Sequence, residues 1–236
     1  MSDPEIVDIV SRSPLFHDVT PKARDAFIAN GRLHQAAQGA FIFHQGEPAD
    51  VFYIIISGEV KLLQVTPEGE QVILHYFGSG DGLGIIVVLG SMDYPASAQA
   101  VEECQLLAWD WETARQLMLQ YPQLAFNGME LVAHRFANLQ HQFQELSTQR
   151  VEQRIALAVL RLVRQFGKKI PEGVLIDMPL SREDLAQMTG TNLYNVSRIL
   201  RRWEQAGFVN IGRKRVVLCQ PHELVLISEG LTKQND

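Results

Sequence analysis

The sequence predicts an α+β chain with an antiparallel all-β N-terminal part, a long helix, and a small helical C-terminal domain that ends in a hairpin. Three observations lead there. Between about residues 31 and 108, short apolar segments ("AFIFHQ", "VFYIIIS", "EVKLLQVT", "EQVILHYF") alternate with turn signals ("QGEPAD", "SGE", "TPEGE", "GSGDG"), the texture of a sandwich or small barrel. Further on, Met129, Val132, Phe136, Leu139, Phe143 and Leu146 recur at intervals of 3,4,3,4,3, an a/d seam. Third, the net charge of −6 is unevenly distributed. Residues 1–149 carry 7 Lys/Arg against 18 Asp/Glu, and residues 150–236 carry 14 against 9. A reversal of sign near residue 150 points to two domains with different partners, and only the basic one suits a phosphate backbone.

At the N-terminus, residues 4–29 have helical spacing interrupted at Pro14. Thr20 is placed to cap a helix that begins at Pro21. "TPEGEQ" is the turn of a hairpin. The seam helix follows "DWETARQLMLQYP". Its 3.5-residue period fits a two-stranded coiled coil better than a core-facing helix, which drifts at 3.6, so a homodimer is expected. Residues 150–166 form an amphipathic helix with Gly167 as its C-cap, and "GVLIDMPLS" reads as a strand leading into a capped start.

The chemistry is concentrated in "LSREDLAQMTGTNLYNVSRILRRWEQAGFV", residues 180–209. Ser181 and Asp184 have capping-box spacing. Leu185, Ala186 and Met188 supply the buried side of a short helix, and Gly190 supplies a tight turn. Asn192 caps a second helix with Val196, Ile199, Leu200 and Trp203 inward and Tyr194, Asn195, Arg198, Arg201 and Arg202 outward. Two short helices around a glycine turn, followed by strand-like pieces around "GRKR", make a winged helix-turn-helix.

These segments, together with "HQGEPADVFYIIISGEVKL", resemble the cyclic-AMP receptor protein / fumarate–nitrate regulator (CRP/FNR) superfamily over about residues 13–222. The resemblance implies a jelly-roll β-barrel of the cyclic-nucleotide-binding type at 1–121, a dimerisation helix at 122–149 and a winged helix-turn-helix at 150–236. It also implies a homodimeric transcription regulator that binds a palindromic operator in double-stranded DNA and meets RNA polymerase. Arg198 falls where relatives contact a guanine edge, and Asn195 is suited to adenine. Tyr194 stands where relatives hold a glutamate, and Leu193 where cyclic-AMP receptors hold an arginine, so the usual half-site is not expected. Ser181, Arg182, Thr191 and Ser197 match phosphate-gripping positions, with Asn192 beside them, while Arg213 and Lys214 add salt-dependent affinity from the wing.

In cyclic-nucleotide binders of the superfamily a glutamate follows a glycine turn and an Arg-Ser pair holds the phosphate. Here the glycine is Gly84, the glutamate position holds Ile85, and the pair is Tyr94-Pro95. A buried phosphodiester without a cation is very costly, so cyclic AMP and cyclic GMP are not expected. Two cysteines, Cys104 and Cys219, are too few for the subfamily's iron–sulfur cluster and read as structural thiols.

Three signals stay open. One is a haem that senses nitric oxide or another diatomic gas, with His75 or His134 as axial ligand and Ile85, Ile86, Val87 and Val88 lining the cavity. Another is a small uncharged organic effector with Tyr94 as its polar handle. The third is no effector at all. No P-loop, Gly-x-Ser-x-Gly, HExxH or dinucleotide glycine pattern occurs, so an enzyme is not expected. The acidic N-terminus lacks a signal pattern and no apolar run is long enough for a membrane span, which leaves the cytoplasm as the expected compartment.

Overall fold

The computed structural model describes residues 4–90 and 92–231, and residues 1–3, 91 and 232–236 lie outside that description. The chain divides into two compact units, Met1–Leu139 and Gln140–Asp236. The division falls inside the long helix.

The first unit opens with helix α1 (Pro4–Arg12), a 3-10 turn at Pro14–Phe16 and helix α2 (Pro21–Ala29). The Thr20 side chain accepts from the Ala23 N–H and Pro21 sits at the first turn, as its sequence signature predicts. Eight strands follow: β1 (Arg32–Ala36), β2 (Phe41–Phe43), β3 (Val51–Ser57), β4 (Val60–Val65), β5 (Gln71–Phe77), β6 (Gly82–Leu83), β7 (Ser97–Ala100) and β8 (Cys104–Asp110). Between β6 and β7 the run Ile85–Leu89 is a 3-10 helix. Helix α3 (Trp111–Gln120) and helix α4 (Pro122–Thr148) as far as Leu139 complete the unit.

The strands form two antiparallel four-stranded sheets, ordered β1-β8-β3-β6 and β2-β7-β4-β5. The arrangement is jelly-roll-like, as the sequence suggests, and among the described residues no ladder joins the edge strands of one sheet to those of the other, so the sheets do not close into a barrel. The expected hairpin at "TPEGEQ" pairs Val65 with Gln71. Gly69 takes the left-handed conformation there, with φ of 86°.

The core fills the space between the sheets and under the helices. Phe27 of α2 meets Trp109 of β8 at 4.6 Å, and Trp109 in turn stacks on Phe52 of β3. The indole N–H of Trp109 donates to the Phe27 carbonyl at 2.8 Å, so the ring is buried without leaving a polar atom unpaired. Asn127 of α4, also buried, donates to the carbonyls of Leu15 and His17 and accepts from Gln123. It pins the 3-10 turn to the start of α4.

Helix α4 carries apolar residues on two faces. Leu124 and Gly128 are buried in the unit's own core, with Leu131 partly buried against it. Met129, Val132, Phe136, Leu139, Phe143 and Leu146 are all exposed in the single chain, Phe136 by 62%. The a/d seam is therefore not the face that anchors α4 to its own core.

In the second unit, helix α5 (Val151–Phe166) buries Ile155, Ala156, Ala158, Val159 and Leu162. A hairpin of β9 (Gly167–Ile170) and β10 (Gly173–Ile176) follows. Next come helices α6 (Arg182–Thr189) and α7 (Leu193–Gln205), the hairpin β11 (Val209–Gly212) and β12 (Arg215–Leu218), and helix α8 (Pro221–Ser228). The four strands make one antiparallel sheet, ordered β11-β12-β10-β9. Arg161 of α5 holds Glu145 of α4 at 2.7 Å.

Gly167 does end α5, but it does so in an extended conformation and not as a left-handed cap. A glycine is required there for a different reason: a Cβ would lie 2.1 Å from the Val163 carbonyl oxygen. No helix among the described residues is long and apolar enough to cross a membrane.

Candidate functional site

The helix-turn-helix is built by local caps. The Ser181 hydroxyl accepts from the Asp184 N–H at 3.0 Å, and the Asp184 carboxylate accepts from both the Ser181 N–H and its hydroxyl. This reciprocal box satisfies the first free N–H groups of α6. Gly190 then takes φ of 57°, and its N–H closes the turn on Ala186. Asn192 caps α7 by accepting from the Asn195 N–H at 2.9 Å. With the start of α7 set by Asn192, Val196, Ile199, Leu200 and Trp203 go inward as their spacing predicts.

Two long-range ties, unmarked in the sequence, lock this pair of helices. Arg154 of α5 donates to the carbonyls of Thr189 and Gly190, so a cation sits at the C-terminal end of α6 where the helix dipole favours it. Glu152 of α5 accepts from the Trp203 indole at 2.8 Å and pairs with Arg202. Arg202, which the helical wheel places on the outward face, is thus committed to holding α7 against α5.

On the outward face, Tyr194 is 74% exposed, Arg198 and Arg201 are exposed, and Asn195 and Ser197 are half-buried. Arg198 forms no ion pair or hydrogen bond with the described residues. Asn195 donates its amide to the Thr191 hydroxyl at 3.1 Å, which orients both side chains and leaves the Asn195 amide oxygen available.

The wing tip is the two-residue turn Arg213-Lys214 between Gly212 and Arg215. Lys214 has a left-handed φ of 53°, and its carbonyl accepts from the Leu180 N–H. That bond ties the tip to the residue preceding α6. The result is a cleft of about 510 Å³ lined by Ser181, Arg182, Leu193, Arg213, Lys214 and Arg215. The predicted contacts Ser181, Arg182, Arg213 and Lys214 therefore meet at one place, and Thr191, Asn192, Tyr194, Asn195, Ser197 and Arg198 lie at the start of α7. Two of their hydroxyls are already engaged: that of Ser181 donates and accepts in the cap, and that of Thr191 accepts from Asn195.

The β unit has its own site-like region. Gly84 is left-handed (φ 71°), and a Cβ there would lie 2.8 Å from the Val51 carbonyl. It launches the 3-10 helix, in which Ile85 and Val87 are buried and Ile86 and Val88 half-buried. Tyr94 is buried and stacks on Phe43 at 3.9 Å. Its hydroxyl donates to the Val51 carbonyl at 2.7 Å and accepts from the Val51 N–H at 3.1 Å. Burial pushes the phenol up to about 12, so it stays a neutral donor. Both hydrogen-bonding roles of Tyr94 are thus taken up by the fold.

The structure brings Ile85 and Ile86 together in one apolar groove, but not with Tyr94 or either histidine. His75, on β5, packs edge-on to Phe77 at 4.7 Å. His134 is exposed, with Glu130 3.5 Å away. Burial pushes the Cys104 thiol up to about 11, consistent with a structural thiol.

One residue of this region that sequence reasoning missed is Arg135. It reaches from α4 to donate to the Gly82 carbonyl at 2.5 Å and lies 4.8 Å over the Phe77 ring. Desolvation lowers its pKa, with the nearby Asp81 charge opposing. The spacing 124, 128, 131, 135 places it on the core face of α4, which was the available signal.

An arginine-bearing helix locked into a helix-turn-helix, with a cationic wing beside it, is the arrangement of a DNA-binding regulator domain. Comparison with known proteins supports both units. Residues 33–121 match the cyclic nucleotide-binding domain, and residues 153–227 match the Crp-like helix-turn-helix domain. The chain is 31% identical over 219 residues to the "Cyclic AMP receptor protein" of Thermus thermophilus, covering 93% of this chain and 98% of that protein. The solved Thermus thermophilus catabolite activator protein is 31% identical, with a TM-score of 0.53 over 93% of this chain and 100% of that one. FixK2 from Bradyrhizobium japonicum, at 20% identity, has a TM-score of 0.74 over 84% of this chain and 96% of that one, a likeness of fold. With this identity sustained over nearly its whole length, the chain belongs to the CRP/FNR family, whose members are transcription regulators and not enzymes.

Proposed function

We propose that this regulator works as a homodimer joined along α4, reads a palindromic operator with two copies of α7, and answers to a signal other than a cyclic nucleotide. It acts on cytoplasmic DNA and on RNA polymerase bound nearby. The observation that carries the dimer is the division of labour on α4: one face anchors the helix to its own core, and the six seam residues stay exposed. A 3.5-residue apolar repeat left in water is what a two-stranded coiled coil buries. Occupancy of the β unit then alters how the two α4 helices pair, and with it the spacing of the two α7 helices.

What argues against a cyclic nucleotide is side-chain chemistry. The cassette positions hold Ile85, Tyr94 and Pro95, and the only polar group among these side chains, the Tyr94 hydroxyl, is saturated by Val51. None of these three side chains offers a buried phosphodiester a cation. The experiment is calorimetric titration of the full-length protein with cyclic AMP and cyclic GMP. The expected result is no saturable heat up to roughly 1 mM, which corresponds to less than about 4 kcal/mol of binding. Saturable micromolar binding of either nucleotide would overturn this part of the proposal.

A haem needs an axial side chain facing an apolar cavity. Neither His75 nor His134 lines the apolar groove around Ile85 and Ile86, so the residues do not fit a haem there and the proposal does not include one.

A further inference from the structure

The start of α7 carries an apolar side chain that the fold does not bury. Leu193 opens the helix directly after the Asn192 cap. It stands three and seven residues before Val196 and Leu200, so the three share one stripe of the helix. Val196 and Leu200 are fully buried, whereas Leu193 is 48% exposed. The stripe therefore emerges from the core at the N-terminal end of α7, and in a helix-turn-helix that end of the second helix meets base edges. Leu193 also lines the cleft beside the wing, where the cations Arg182, Arg213, Lys214 and Arg215 outnumber one carboxylate, Glu183. A rim of this charge fits a phosphate backbone and places the duplex over the exposed leucine.

We propose that Leu193 reads a thymine in each operator half-site through the C5-methyl group of the base. The pairs display hydrogen-bonding groups in the major groove, and the thymine methyl is the apolar feature among them. A leucine side chain has no donor or acceptor to offer, so the methyl is the group from which it gains. Opposite a G·C pair it would shield base donors and acceptors from water without replacing their bonds, which is costly. Tyr194, the next residue, is 74% exposed, and as a phenol it supplies no carboxylate to accept from a cytosine amine. The first two side chains of α7 thus favour an A·T pair, while Arg198, one turn beyond Tyr194, is left to a guanine. The inference rests on α7 reading an operator, as proposed above, and adds which base stands opposite the helix start.

The probe is a duplex that the full-length protein has selected from a random pool, with its thymines replaced by deoxyuridine at one position of both half-sites at a time. Uracil pairs as thymine does and lacks only the methyl, so base hydrogen bonding is untouched. At least one symmetric pair of thymines is expected to respond. Affinity should fall about fourfold for each half-site changed, the ratio that corresponds to roughly 0.8 kcal/mol for one buried methyl-sized group. Leu193→Ala should bind the thymine and uracil forms of that duplex equally. Leu193→Met, which keeps an apolar tip of similar volume, should still prefer thymine. A substitution that only loosened α7 would weaken both duplexes in proportion and keep the preference, and that result in Leu193→Ala overturns the proposal. It is also overturned if no thymine of the selected duplex responds to uracil. Failure of the wild type to select any duplex counts against operator reading itself, and the inference falls with it.

Discussion

Replacing Phe136 with aspartate is expected to convert the proposed dimer to monomers and to weaken operator binding by roughly 10²- to 10⁴-fold, the gain that linking two binding modules provides. Phe136 occupies the middle of the seam and is 62% exposed in the single chain, so the proposed dimer is what would remove its apolar surface from water. A carboxylate at that position would have to be buried against its symmetry mate, where two like charges meet at low dielectric. Exposure in the single chain also predicts that each monomer keeps its fold, with an unchanged circular dichroism spectrum. Sedimentation and a gel shift on the same preparation check both points. A Phe136→Asp protein that stays dimeric would mean that the seam is not the interface.

Arg198→Ala is expected to weaken specific binding by about 5- to 150-fold, the equivalent of the roughly 1–3 kcal/mol that a bidentate arginine–guanine contact supplies. Arg198 is exposed and unpaired among the described residues, so removing it costs no contact with them and the effect is expected on DNA. The loss should be confined to sites that carry a guanine at one position of each half-site, and non-specific DNA should bind nearly as before. Arg213→Ala on the wing provides the contrast: a uniform weakening across sequences and a salt slope lower by about one. Equal loss on specific and non-specific DNA in Arg198→Ala would move Arg198 from base reading to phosphate contact.

Much of the winged domain is legible from the sequence because its determinants are local. The Ser181–Asp184 box, the left-handed Gly190 and the Asn192 cap each act over three or four residues, and the inward face of α7 follows once Asn192 starts the helix. The strands β3, β4 and β5 are similarly visible, since their residues are apolar and their turns are marked by glycine. In contrast, β1 exposes four of its five residues and β7 is the small-residue run "SAQA", so neither carries a strand pattern of its own. Both exist because β8 and β4 offer them ladder partners.

The less legible features depend on residues far apart in the chain. Tyr94 reads as a polar handle for a ligand, yet its hydroxyl closes on Val51, 43 residues earlier. Arg154 reads as one charge on an amphipathic helix, yet it caps α6 from 35 residues away. Arg202 reads as part of the DNA-facing surface, yet Glu152 holds it. In each case the sequence shows a polar side chain on a plausible face, and only the packing decides whether it serves the fold or a partner.

The most direct test of the account is selection of bound DNA from a random pool by the full-length protein, followed by sequencing of what is retained. The account predicts enrichment of two-fold symmetric sites whose half-sites lie one helical turn apart, with centres about 34 Å from each other. Enrichment of a single asymmetric half-site, or no enrichment over the input pool, would contradict it.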